Sequence, residues 1–311
     1  MSNLLIHFFV YIAIFIYGMI VLQTGLYQFS YQSIQKWITK MVNNPVKGMI
    51  FGAIATAILQ SSSLTMVLTI GFITIGVLKF EQAVGIVLGV NIGTTITGEI
   101  MTLANLVHPI PFVIFGFILL FIPHQKWFGF GATLLGIGSI FVAMQGFESF
   151  AAPLLEHEGI KGGLLWLKES ALGATVIGAI FTAIIQSSSA TTGILMGILN
   201  QELIDFQTAF AILLGANIGT CFTAWLASLS GTREAKLVAY AHIWLNVISV
   251  IAVFPFLGPI SGLMENLVTS PSVQLAHSSV LFNVVTSLLF LPFVRPFTNF
   301  IKNVHGGADT K

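Results

Sequence analysis

The sequence predicts an all-α polytopic membrane protein. It would hold two inverted repeats after an extra N-terminal span, each repeat a re-entrant hairpin plus three spans, with about seven crossings and two hairpins in all. Three observations predict this. First, 56% of the 311 residues are hydrophobic and 7% are charged, against about a quarter charged in a soluble domain. Second, Gln60–Ser63 (QSSS) and Asn91–Thr95 (NIGTT) recur as Gln186–Ser189 (QSSS) and Asn217–Cys221 (NIGTC) at one offset, 186 − 60 and 217 − 91 both being 126. The register extends to Gly52 with Gly178, Thr56 with Thr182, Thr65 with Thr191, Gly89 with Gly215, and Thr97 with Thr223. A polar pattern duplicated without a gap inside apolar flanks is an internal repeat. Third, the cations sort to one side. With the N-terminus outside, Lys36, Lys40, Lys47, Lys79, Lys126, Arg233, Lys236, Arg295, Lys302 and Lys311 fall inside, and Lys161 and Lys168 outside, as the positive-inside rule requires.

Residues 4–26 form the first span, long enough for about 30 Å of hydrocarbon. It has no small-residue cleavage site and so reads as a span rather than a signal peptide. Residues 27–47 carry three lysines among Tyr27, Tyr31 and Trp37 and suit a membrane-surface segment. Residues 48–78 run apolar, polar, apolar. They are too long for one crossing and fit two limbs of about 20 Å meeting at Gln60–Ser63. Such a re-entrant hairpin is tolerated where protein or a water-filled cavity surrounds it. Spans follow at 82–104, 109–123 and 128–147, closing repeat 1 (48–147). An external polar loop covers 148–170. Repeat 2 (171–295) repeats the order: hairpin 171–199, then spans 206–229, 236–257 and 277–294. Residues 296–311 form a cytoplasmic tail. Three crossings in the first copy turn the second upside down.

Several classes are excluded. No GxxxxGK[ST] occurs, so the chain does not hydrolyse ATP. Cys221 is the one cysteine, so no internal disulfide forms. A net charge of +1 points to no nucleic-acid partner. The adjacent Glu156, His157 and Glu158 read as a solvated loop rather than a metal site.

The polar clusters carry the chemistry. Gln60, Ser61, Ser62, Ser63 and Thr65 are mirrored by Gln186, Ser187, Ser188, Ser189, Thr191 and Thr192. Asn91, Thr94, Thr95, Thr97, Asn217, Thr220 and Thr223 add amides and hydroxyls. Each unsatisfied polar group in lipid costs several kcal/mol, roughly 2–7 by transfer scales. The clusters must therefore face each other, water or a ligand. Carbonyl, hydroxyl and amide oxygens bind a hard cation such as Na+. Hydroxyls and the free N–H groups of a helix break bind an oxyanion. The competing role is helix packing, for which small hydroxyl residues are common; two copies in register argue against it. Glu99 is the carboxylate placed inside a span, a candidate coupling residue that also fits an interfacial position near headgroups. His242, His277, Asn246 and Asn283 fit hydrogen bonds between helices. An intramembrane serine hydrolase would need a base beside a QSSS serine, and no GxSxG or spaced histidine supplies one.

At these residues the chain resembles the sodium/phosphate cotransporter family, the type II group and its bacterial relatives. The duplicated QSSS followed by NIGT carries the resemblance, with the Phe282-Asn283 pattern after His277, over about residues 48–295. The resemblance implies a sodium-coupled symporter of inorganic phosphate in the cell membrane, with the C-terminus inside. It implies no cofactor beyond sodium as coupling ion, a lipid environment, and compatibility with a homo-oligomer. The two QSSS segments are implied to form the site. Ser61, Ser62, Ser63, Thr65, Ser188, Ser189, Thr191, Asn91 and Asn217 are expected at phosphate. Gln60, Gln186, Ser187, Thr94, Thr95, Thr220 and Thr223 are expected at sodium; of these, Gln186, Ser187, Thr220 and Thr223 match one family sodium site by position. Cys221 replaces the Thr95 of the first copy. A soluble C-terminal regulatory domain carried by many bacterial members is not expected. The alternative reading is a sodium-independent channel or exporter for phosphate or another oxyanion.

Overall fold

A computed structural model describes residues 2–154 and 158–306. Glu156, His157 and Lys311 lie outside the described residues. Among those described, the secondary structure is helical, and no strand occurs. Six helical stretches are long and apolar enough to cross a bilayer, and a bent pair makes a seventh at most.

The first helix, α1 (Ser2–Met41), joins the expected span 4–26 and most of the surface segment 27–47 into one element. No proline interrupts it. Gly18 and Gly25 do not break it because they face the backbone of a later helix, near Gly136 and Gly129. Ile34 and Ile38 are buried, so this part of 27–47 packs into protein rather than lying on the membrane surface. Hairpin 1 is α2 (Pro45–Leu59) and α3 (Ser62–Thr74). Next come α4 (Phe80–Met101) and α5 (Pro109–Leu119). The latter has 11 residues, about 16 Å of helix, too short to cross alone as the 109–123 reading required. Leu120, Phe121 and Ile122 instead make i→i+3 turns, and Pro123 disfavours helix at the residue before it.

The next helix, α6 (Gln125–Leu154), runs past the expected span 128–147. With α7 (Glu158–Glu169) it makes the expected polar loop largely helical. Hairpin 2 is α8 (Ala171–Ile185) and α9 (Ser188–Asn200), limbs of 15 and 13 residues, the same lengths as α2 and α3. Then follow α10 (Phe206–Ser228), α11 (Arg233–Val253) and α12 (Leu257–Leu267). The chain closes with α13 (Pro271–Phe290) and α14 (Val294–His305). Residues 296–305 of the expected tail are thus helix, as the close of α14. It buries Val294, Phe297, Thr298 and Ile301, the i, i+3, i+4, i+7 stripe of an amphipathic element.

Glycine explains how the two copies pack. A Cβ on Gly89 would strike Met49 and Ala53, and one on Gly215 would strike Thr175 and Ala179; every number shifts by 126. Likewise Gly52 abuts Ile86, and Gly178 abuts Ile212. The α2–α4 and α8–α10 pairs therefore share one small-residue interface, of the kind that holds helices together where hydrophobicity cannot.

Hydrogen bonds fix which ends meet. Gln145 donates to the Ala104 carbonyl (3.1 Å) and Asn105 to Glu148 (2.7 Å). The C-terminal ends of α4 and α6 therefore lie together, and α5 with its flanking turns returns the chain between them. Asn200, ending α9, also donates to Glu148 (2.6 Å), whereas α3 ends beside the start of α4.

Candidate functional site

The local structure of each QSSS follows from its residues. Gln60 (φ 51°, ψ 31°) and Gln186 (φ 58°, ψ 27°) end α2 and α8 in the left-handed region. That conformation disfavours residues with a Cβ and clusters at functional sites. Ser61 and Ser187 turn back to extended backbone and cap the next helices, accepting from Leu64 N (3.2 Å) and Ala190 N (3.1 Å). Their oxygens are natural N-caps, and their hydroxyl protons remain available. Ser62, Ser63, Ser188 and Ser189 then occupy the first turns of α3 and α9. There the backbone N–H groups have no partner within the helix, and the dipole end is positive.

Both tips line one cavity of about 210 Å³. Gln60 to Ser63 face Gln186 to Ser189 across it, closed by Ile16, Met19, Ile20 and Gln23 of α1. Among the described residues, no charged side chain lines it. Gln23 Nε2 donates to the Gln60 carbonyl (3.1 Å), tying α1 to hairpin 1. Gln60 is buried and its Oε1 has no hydrogen-bond partner, while its Nε2 donates to Ala57 O (2.6 Å). Gln186 is exposed, so the two copies differ here.

A second, smaller cavity of about 20 Å³ lies behind hairpin 2. Ser188 and Ser189 line it as they line the first, and Thr94, Thr95, Thr192, Asn217, Ser279 and Asn283 complete its polar lining. The expected residues thus divide. Ser61, Ser62, Ser63, Gln60, Gln186 and Ser187 meet at the larger cavity, and Thr94, Thr95 and Asn217 at the smaller.

Others go elsewhere. Thr65 donates to the Ser61 carbonyl (3.0 Å), and Thr191 pairs with Thr182 Oγ1 (2.8 Å). Both are buried and line neither cavity. Asn91 donates to Asn246 Oδ1 (3.3 Å), within a network that reaches Cys221. Thr220 bonds its own helix at Ala216 O (3.0 Å), and Thr223 accepts from Ser63 Oγ (3.3 Å), joining α10 to the tip of hairpin 1. Neither lines these cavities. Glu99 pairs with His277 Nδ1 at 2.9 Å, linking α4 to α13 outside both cavities, with side chains 30% and 46% exposed.

Gln23, Ser279 and the lining role of Asn283 were not anticipated. The available signal was an amide in the middle of an apolar span, at Gln23 and again at Asn283. Among the described residues, no cluster of His, Cys, Asp and Glu could hold a transition metal.

The sequence pattern of the Na+/Pi-cotransporter family matches residues 14–149 and 155–269. The chain is 38% identical over 276 residues to the uncharacterized protein YqeW of Bacillus subtilis, covering 89% of this chain and 90% of that one. It is 24% identical over 265 residues to a Salmonella typhimurium protein named "Putative inorganic phosphate export protein YjbB". That match covers 85% of this chain and 49% of the relative, so the chain spans about half the length of YjbB. Over 86 residues it is 35% identical to sodium-dependent phosphate transport protein 2A of Ovis aries, which is 26% of this chain and 14% of the relative. No solved structure matches.

Proposed function

Because the chain belongs to the Na+/Pi-cotransporter family, a family of transporters rather than hydrolases, we propose that it is a sodium-coupled symporter of inorganic phosphate in the cell membrane, working by alternating access. The observation that carries this reading is the cavity shared by the two QSSS tips. The N-termini of α3 and α9 converge on it with serine hydroxyls, and such an end favours an oxyanion. With no fixed cation in the lining, a co-bound sodium ion offsets the anion's charge where the dielectric is low. Sodium is the coupling ion, and no other cofactor takes part.

The repeats are inverted in this reading, hairpin 1 entering from inside and hairpin 2 from outside. Its support is that α9 ends beside Glu148 at the C-terminal end of α4, whereas α3 ends at the N-terminal end of α4. The lysine and arginine distribution orients the N-terminus outside and the C-terminus inside.

The test is radiolabelled phosphate uptake into liposomes holding the purified protein, with an inward gradient of sodium or of potassium, and with sulfate and arsenate as competitors. Concentrative uptake is expected with sodium alone. Equal uptake with potassium overturns the coupling. The printed name of the YjbB relative favours a second reading, sodium-independent export. Sodium-free efflux from preloaded liposomes would support that one instead.

A further inference from the structure

Away from both hairpin tips, the ends of four helices enclose a third cavity, of about 950 Å³. It lies between the end of α3, the starts of α4 and α11, and the second half of α14. Both α4 and α11 begin apolar stretches long enough to span a bilayer, so the cavity sits at headgroup level. Its face is the one to which the lysines and arginines sort, expected to be cytoplasmic.

Lys79, Arg233 and Lys302 line the cavity against one carboxylate, Glu234. Among the described residues neither Lys79 nor Lys302 forms a salt bridge, and the neighbouring Glu81 lies 3.9 Å from Arg295 instead. Lys302 Nζ stands 5.6 Å from the centre of the Phe80 ring, which aims its charge at the start of α4. Arg233 reaches the close of α14, where a Cβ on Gly306 would come within 2.9 Å of its Nη2. The starts of α4 and α11 add the positive ends of two helix dipoles. Together these groups favour an anion.

The rest of the lining indicates what carries the negative charge. Ile73, Leu78, Phe80 and Leu237 give the cavity an apolar wall. A bare phosphate ion is far smaller than this volume and has no use for that wall. Beside the lining, Ile75, Val77 and Val304 are 69%, 43% and 51% exposed, so an apolar surface leads directly off the basic cavity. Basic pockets between spans on the cytoplasmic side suit the headgroups of anionic lipids. The cations take the phosphate, and the exposed apolar side chains take the acyl chains.

We propose that this cavity binds the phosphate headgroup of an anionic phospholipid. The lipid offsets the charge of Lys79, Arg233 and Lys302 together. It also ties the far end of α3, whose first turn carries Ser62 and Ser63, to α4, α11 and α14. Its occupancy is independent of what the protein carries across the membrane.

The experiment measures thermal unfolding of the purified protein in a neutral detergent, titrated with phosphatidylglycerol or with zwitterionic phosphatidylcholine. Wild type is expected to gain more stability from phosphatidylglycerol. Lys79→Gln and Lys302→Gln are each expected to raise the half-maximal phosphatidylglycerol fraction about fivefold, the effect of one cation on an anionic lipid. Both side chains are exposed, so folding should persist. Lys126→Gln, on the same expected face and outside the cavity, should match wild type. Equal shifts in all three variants, zero included, overturn the site, as does wild type without a preference for phosphatidylglycerol. A lipid-free arm with inorganic phosphate and with a soluble glycerol phosphate identifies the source of the phosphate group. Responses that are the same in wild type and Lys302→Gln support the lipid. A response to either that is lost in Lys302→Gln assigns the cavity to a soluble phosphate and overturns the lipid.

Discussion

Ser188 lines both cavities and Ser62 lines only the larger, so alanine at the two positions should have different consequences. Each substitution removes one hydroxyl donor from the larger cavity, where phosphate is proposed to bind. A hydrogen bond to a charged ligand is worth about 1.5–3 kcal/mol, or roughly tenfold to 150-fold in affinity. Folding should persist, because both serines sit at the first position of a helix and alanine is the better helix former. The capping serines, Ser61 and Ser187, stay in place. Ser62→Ala should raise the phosphate concentration for half-maximal uptake by that factor at saturating sodium. Its half-maximal sodium concentration, at saturating phosphate, should move less than about twofold, which is below 0.5 kcal/mol. Ser188→Ala should shift both. The double variant should lose less than the product of the two phosphate effects, because the two groups share one ligand. Proteoliposome uptake across a phosphate-by-sodium grid reads all of these shifts. Additive phosphate losses in the double variant would falsify the shared cavity. A Ser188→Ala effect confined to phosphate would separate the smaller cavity from sodium binding.

Gly89→Val and Gly215→Val should each destabilise the protein by about 1–3 kcal/mol or more through overpacking, since even a Cβ strikes the facing helix. Gly71→Val, with nothing within 4 Å, is the control, and thermal midpoints in detergent report the difference. In a Cys221→Ser background, a membrane-impermeant thiol reagent on intact cells should label Gly162→Cys on α7 and not Asn303→Cys on α14; the reverse pattern would refute the assigned orientation. Glu99→Gln should leave half-maximal sodium within about twofold, because a pair this exposed is worth about 0–1 kcal/mol and lines neither cavity. A tenfold shift would return Glu99 to the coupling path.

Membrane class, the duplication and the hairpin tips were all legible in the sequence, for a local reason. Apolar runs report spans whatever their neighbours are. A QSSS inside such a run has no way to satisfy its polar groups except by breaking the helix at a protected site, and Gln60 and Gln186 break it there. The repeated glycines at 52, 89, 178 and 215 were likewise visible as a pattern, and their purpose is the close approach of helices. The tertiary structure alone decided which hydroxyls share a cavity. Thr65 and Thr191 sit one turn beyond the QSSS serines, yet are buried away from both cavities, and Thr191 pairs with Thr182 on the other limb of its hairpin. Gln23, Ser279 and Asn283 are distant in sequence, yet complete the two linings. A polar residue on a span announces that it needs a partner, but the partner depends on helix rotation and on packing against other helices. Those are set by contacts between residues far apart in the chain. A threonine carries both a donor and acceptors, and only the hydrogen bond it makes in the folded chain determines which of them is left free.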